Sequence, residues 1–448
     1  MRTKWTIRGF LAVTSASILS ALLIAQPAAA DRLSRLSEVK RGVVSDLSVI
    51  NLAAKYNGVS FYRPSNRVVV AMRDAEDRLR LMVWDVSNNG SLSLLGDAAT
   101  EGAVKTVSVA RVSSSRVATA VRDSRDMLRI IVWDISSDGR TITRRGTGTS
   151  VRVKEVQVTG EAEFAPGGPT GSRVRRAGRL FTAARDGSGK LHVADWAVSE
   201  GGDVSRVESK TYGTVSDIDV ATGHIGHHFA AAAIRESGDR LKLISFQSPA
   251  REGVDRGGVG QGAEVSLVRT NGHDFGGDTV YTVTASPGPT GVRTGQFGQH
   301  RLLVDAGLLK VIRWDKEPRP DGPNALLAAD FDRKHAFELG GSDGLATAAD
   351  IAHVLGTAGI DSNVVTAHAG FETYRKALAR DRGKPRLHVI AWSDELKKTA
   401  DATLGGKYTH VEMVPIRPQE GADGASRFFT ALRGERGELK LVVWRLAP

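Results

Sequence analysis

Four histidines are placed where they could share a metal ion. His224, His227 and His228 fall in one short stretch, and His273 follows later beside Asp274. Imidazole nitrogens bind zinc at about 2 Å, and a site needs three or four such donors converging. These four converge only if the two stretches are neighbouring loops; solvated loop histidines are the plainer and preferred account. A second group has the make-up of a binding surface. Arg293, Gln296, Phe297 and His300 lie in the run Ser286–Asp305, and Phe371, Tyr374, Arg375, Arg380 and Arg382 lie in Gly370–Arg386. Aromatic rings beside guanidinium groups are the usual composition of a binding hot spot. Neutral expansion of two surface loops is the competing account, since long loops cost little.

Bond-breaking chemistry has little to work with. The chain has no cysteine, which excludes thiol catalysis, cysteine zinc sites and iron–sulfur clusters. No G-x-S-x-G elbow, glycine-rich phosphate loop or Asp-rich calcium loop is present. Asp46, Asp217, Asp350, Glu412 and His410 sit in strand-like runs, but no repeated pair has acid–base spacing. No catalytic residue and no cofactor is therefore expected. A hydrolase or lyase acting on polysaccharide is the alternative to a non-enzymatic binder.

The formal charge of +11 would suit acidic partners, although the basic residues are scattered and an ordinary solvated surface is the preferred account. The partner expected is an envelope or extracellular protein or an anionic glycan, not nucleic acid. Residues 1–30 read as a secretory signal peptide. Arg2, Lys4 and Arg8 precede the apolar run Phe10–Ile24, and Ala28 and Ala30 suit a signal peptidase. A secreted or periplasmic location follows, with no transmembrane segment after cleavage near Ala30 and no prediction of oligomeric state.

The elements that must position these residues repeat. The apolar runs LRLMVW, LRIIVW, LHVADW, LKVIRW, LHVIAW and LKLVVW end in Trp84, Trp133, Trp196, Trp314, Trp392 and Trp444, and LKLISF ends in Phe246. The period is roughly fifty residues with insertions. Upstream of each lies a second run, such as VVVAMRD from Val68 or VATAVRD from Val117, joined to the Trp run by a short polar turn. A third run precedes that one, as in Val43–Ile50, Val104–Ala110 and Thr214–Ala221, and a weaker fourth follows the Trp run. Leu345–Val354 taken alone suits a helix, but its place in the repeat predicts a strand. The Trp series reads as packing between sheets in preference to sugar stacking. Arg73–Asp74, Arg122–Asp123 and Arg185–Asp186, with Arg235–Glu236, face a basic series of Arg80, Arg129, His192, Lys242, Lys310, His388 and Lys440. Salt bridges beside the turns are the expected result.

Four antiparallel strands per unit at this period mean β-propeller blades. The prediction is an all-β fold, one seven-bladed β-propeller over residues 31–448. Its last unit lacks a fourth strand, which Arg32–Gly42 at the N-terminus would supply. Trp-Asp pairs at Trp84–Asp85, Trp133–Asp134 and Trp314–Asp315 end third strands, and in this the chain resembles the WD-repeat propellers. Trp196, Trp392 and Trp444 lack the following Asp, and the Gly-His element of that family does not recur in register. The resemblance implies a rigid binding platform, not a reaction. The repeat breaks in its fifth and sixth copies, where Arg-Asp gives way to Ala285–Ser286 and Ala369–Gly370 and the long loops begin. Other irregular stretches lie at Glu161–Gly178, Glu317–Gly344 and Arg417–Arg427.

Overall fold

Continuous apolar runs and alternating runs have different places in this molecule. Val68–Met72 is buried on both faces, whereas Ile142–Arg152 is exposed along most of its length. A strand with sheets packed on both sides must be apolar throughout, and an outer strand need not be. The computed structural model describes residues 33–52, 54–55, 62–161, 178–222, 229–236, 240–247, 251–261, 264–271, 278–287, 307–317, 330–338, 345–355, 362–371, 386–393, 397–418 and 425–447.

Among the described residues every regular element is a strand. β1 (Leu33–Asn51) is followed by the short pair β2 (Ala54–Lys55) and β3 (Tyr62–Arg63), then β4 (Arg67–Asp74), β5 (Arg78–Val86) and β6 (Leu92–Ser113). Next come β7 (Arg116–Asp123), β8 (Met127–Ile135), β9 (Ile142–Arg152), β10 (Glu155–Glu161), β11 (Arg179–Arg185) and β12 (Lys190–Val198). β13 (Val204–Thr222), β14 (Phe229–Glu236), β15 (Arg240–Gln247) and β16 (Arg251–Gln261) precede β17 (Glu264–Asn271), β18 (Asp278–Pro287), β19 (Gly307–Glu317) and β20 (Asp330–Glu338). The rest are β21 (Leu345–Leu355), β22 (Ser362–Phe371), β23 (Arg386–Trp392), β24 (Lys398–Gly405), β25 (Tyr408–Ile416), β26 (Ser426–Gly434) and β27 (Glu438–Leu446). The ambiguous run from Leu345 is thus a strand, β21.

Pairing is antiparallel throughout and local in sequence, with one exception. β1 pairs with β27 over Leu33–Val43 and with β4 over Val44–Asn51, so the first strand lies on the last. β6 and β13 do the same for neighbouring units. Each leaves one sheet as its outer strand and enters the next as its inner strand. Besides the β2-β3 pair, the ladders of the described residues form three open sheets. One runs β25-β26-β27-β1-β4-β5-β6-β7-β8-β9, one β10 to β16, and one β17-β18-β19-β21-β22-β23-β24 with β20 on β19.

Between units the contact is side chain on side chain. One core joins Val68, Val70 and Trp84 to Phe429, Leu441 and Val443. Another joins Val69, Leu79 and Leu81 to Val117 and Trp133, and a third joins Ile130 and Val132 to Leu180 and Trp196. Each of these tryptophans therefore packs against the unit before its own.

Polar joints repeat at the same places. The N–H groups of Val44, Val104, Val153 and Val215 donate at 2.7 Å to the carbonyls of Gly437, Asp77, Asp126 and Gly189, each the fourth residue of a turn in the preceding unit. Those four acceptors all have positive φ, between 61° and 85°. Glycine adopts that conformation freely, and aspartate is among the few others that tolerate it. At Gly437 a Cβ would also lie 2.8 Å from Val43 Cγ1. Where aspartate takes the position, Arg73 and Arg122 bond it through Nε at 2.8 and 2.7 Å, and they reach on to the carbonyls of Lys105 and Lys154 in the next unit. Arg433 reaches the Ser45 carbonyl in the same way.

Candidate functional site

In each of the first three units the turn between the second and third strands is built by one carboxylate. Asp74 Oδ1 accepts the N–H groups of Glu76 and Arg78, Asp123 Oδ1 those of Arg125 and Met127, and Asp186 Oδ1 those of Ser188 and Lys190. The second oxygen takes a basic side chain from the third strand. Arg129 lies 3.2 Å from Asp123 and His192 Nε2 lies 2.8 Å from Asp186. In the first unit Arg78 takes that role at 2.9 Å, and Arg80 pairs with Asp97. Despite some desolvation, these hydrogen bonds hold the Asp74 and Asp186 carboxyls below the usual carboxylate range. The Arg-Asp series is thus turn architecture.

The tryptophans have a polar partner that the sequence reading did not pick out. Trp133, Trp196, Trp392 and Trp444 donate through Nε1 to Thr119, Thr182, Thr366 and Thr430 at 2.9–3.0 Å. Each threonine sits two residues beyond the Trp's register partner. The corresponding residue opposite Trp84 is Val70, and the Trp84 indole N–H has no hydrogen-bond partner among the described residues. In the fourth unit Ala232 holds this place and the partner is Phe246, which has no N–H to satisfy. Thr282 holds it for Trp314. The signal was available in the sequence: threonine at that place wherever the aromatic needs an acceptor, except in the first unit.

The four-stranded unit is a β-propeller blade. Three features define it: the meander, the long strands passing from the outer edge of one unit to the inner edge of the next, and the cores between neighbours. Solved structures with this likeness include Sqt1 of Saccharomyces cerevisiae, covering 91% of this chain and 98% of its own at 11% identity and a TM-score of 0.47. The WD40 domain of Toxoplasma gondii coronin covers 91% of this chain and 89% of its own, also at 11% identity and a TM-score of 0.47. BBS1N, solved in complex with ARL6DN, covers 94% and 98% at 10% identity and a TM-score of 0.47. Likeness at this identity is one of fold alone. No family model matches the sequence, and no curated protein matches it.

Inner strands of neighbouring blades bring acid–base groups together. Asp46 Oδ2 on β1 accepts the Val107 N–H of β6 at 2.7 Å, and Ser48 Oγ accepts that of Val109 at 3.2 Å. On β25, His410 Nε2 lies 3.2 Å from Glu412 Oε1. Desolvation pushes the Asp46 carboxyl above its usual range, against the opposing effects of His410, the Val107 N–H and Arg433. Asp46, His410, Glu412 and Arg433 thus form one electrostatic neighbourhood where β1 meets β25. Such a group can hold or move a proton.

The sequence-predicted site falls elsewhere. His224, His227, His228, His273, Arg293, Gln296, Phe297, His300, Tyr374, Arg375, Arg380 and Arg382 lie outside the described residues. Phe371 is the last residue of β22, paired with Leu345. Among the described residues no three His, Cys, Asp or Glu side chains are grouped to hold a metal. No described helix is long and apolar enough to cross a membrane.

Proposed function

We propose that the chain is one seven-bladed propeller over residues 31–448, closed by its N-terminal strand. It acts as a secreted or periplasmic, non-enzymatic binding scaffold for an envelope protein or an anionic polysaccharide. The joint between the chain ends supports closure, because it repeats the internal joints. Arg427 donates to the Ser87 and Asn88 carbonyls at 2.7 and 3.2 Å, as Arg116 does to Ser199 and Glu200 and as Arg67 does to Ser137. The inner strands also touch in a cycle, β1, β6, β10, β13, β17, β21, β25 and back to β1.

The observation that carries the binding reading is where the turn-building acid is lost. Its place is taken by Ser286 in the fifth blade, Gly370 in the sixth and Gly434 in the seventh; the seventh keeps a four-residue turn, and the fifth and sixth are the blades whose turns expand into loops rich in arginine and aromatic residues. Arginine there suits anionic groups. Replacing Arg375, Arg380 and Arg382 together by Glu should abolish retention on an anionic polysaccharide or on envelope extract while leaving thermal unfolding unchanged. Unchanged retention sinks this placement of the site.

One observation favours the enzymatic alternative, the neighbourhood of Asp46, His410 and Glu412 on the inner strands. It predicts slow turnover of an anionic polysaccharide that disappears in Asp46→Asn.

A further inference from the structure

The sixth blade buries an imidazole at a point that is apolar in the first, second, third, fourth and seventh blades and is Thr284 in the fifth. His368 on β22 has no exposed surface, and neither ring nitrogen has a hydrogen-bond partner among the described residues. The register places Met72, Val121, Ala184 and Leu432 at the same point of other blades. Opposite it on β23 stands His388, 9% exposed, its ring stacked on His368 with centroids 5.1 Å apart and planes 13° apart. His388 occupies the basic position of the third strand, which in the third blade is His192, held by Asp186 at 2.8 Å. Gly370 stands where Asp186 would be.

Buried polar groups are nearly always satisfied, so two enclosed imidazole nitrogens without a partner among the described residues need an account. We propose that His368 and His388 form a two-imidazole site for a divalent transition cation of the zinc, copper or nickel class. Facing imidazoles on adjacent antiparallel strands can turn one nitrogen each toward a shared ion, and imidazole suits all three metals. The ion takes up the nitrogen lone pairs that burial strips of water. It needs neutral rings, which the full enclosure of His368 favours. His388, unlike His368, keeps some exposed surface, and an ion would enter on its side. The remaining positions on the ion stay open to water or to a donor group brought by a ligand. This site is independent of His224, His227, His228 and His273 and of the binding reading above.

Calorimetric titration of the purified full chain with zinc chloride tests the assignment, together with electron paramagnetic resonance of the Cu2+-loaded chain. The expected result is one zinc ion lost or bound at least tenfold more weakly in His368→Phe and in His388→Gln. It is kept in a variant with His224, His227 and His228 all changed to Ala. Cu2+ bound to that triple variant shows coupling to two imidazole nitrogens. Should the single substitutions unfold the chain, the triple variant decides: two coupled nitrogens support the site and none overturns it. Zinc uptake undiminished by both single substitutions, or no uptake by the unsubstituted chain, also overturns it.

Discussion

At the scale of single residues, the Trp–Thr bonds turn a packing position into a specified one. A buried indole N–H left without an acceptor costs about 1–3 kcal/mol. Thr119→Val and Thr430→Val should each lose about that much in urea unfolding, because Trp133 and Trp444 are fully enclosed. Val70→Thr is the converse experiment. It offers the Trp84 indole an acceptor and should restore part of the same amount, provided the added hydroxyl finds its own partner as Thr119 does at the Ile131 carbonyl. Two titrations of opposite sense belong to this scale. Asp46 has its folded pKa above 3.8, so the native chain binds more protons than the unfolded one as pH rises past that value, and stability falls across that window. Asp46→Asn keeps an acceptor for Val107 and should flatten that fall when thermal unfolding is followed from pH 4 to pH 7. His368 is the reverse case. Its folded pKa of about 3 lies below 6.5, so without metal the unfolded chain takes up the proton first and stability is lost as pH drops from 6.5 toward 3. His368→Phe should reduce that acid loss.

Among elements, the joints between blades carry the specificity. The turn between β26 and β27 ends in Gly437 at φ 82°, and its carbonyl receives the Val44 N–H. Gly437→Ala must strain the backbone and push into Val43, so a loss of about 1–2 kcal/mol in chemical denaturation is expected. Arg427 is the stronger test. It is fully buried, burial lowers its pKa, and its donors end on the carbonyls of Arg417, Ser87 and Asn88 and on Asn66 Oδ1. Arg427→Met strips four acceptors of their donors at once and should cost about 3 kcal/mol or more. The same change at Arg67, whose side chain reaches only the Ser137 carbonyl, should cost much less.

For the whole molecule, the pairing of first strand with last matters most. β1 lies along β27 from Leu33 to Val43, Lys440 bonds Glu38 at 3.0 Å, and Arg41 lies 5.2 Å over the Trp84 ring. With no disulfide available, this pairing holds the chain ends and leaves β27 without a free edge. Deleting residues 33–41 should expose that edge and convert a monodisperse gel-filtration peak into aggregate. Normal elution and an unchanged unfolding midpoint would show that the N-terminal strand is dispensable.

Much of this was legible in one dimension. The period of the Trp runs and the Arg-Asp turns follow from apolar spacing and turn chemistry, which act over a few residues, and the strand character of Leu345–Val354 follows from its place in that period. Distance along the chain hid the rest. Val70 as the exception to the Trp–Thr bond, Arg427 bonding residues more than 300 positions earlier, and Asp46 meeting His410 depend on which unit lies beside which. No local pattern encodes that adjacency. His368 shows the limit best. Read along the sequence it is one more histidine in an apolar run; only cross-strand register puts it on His388, and only packing from both sides removes its water.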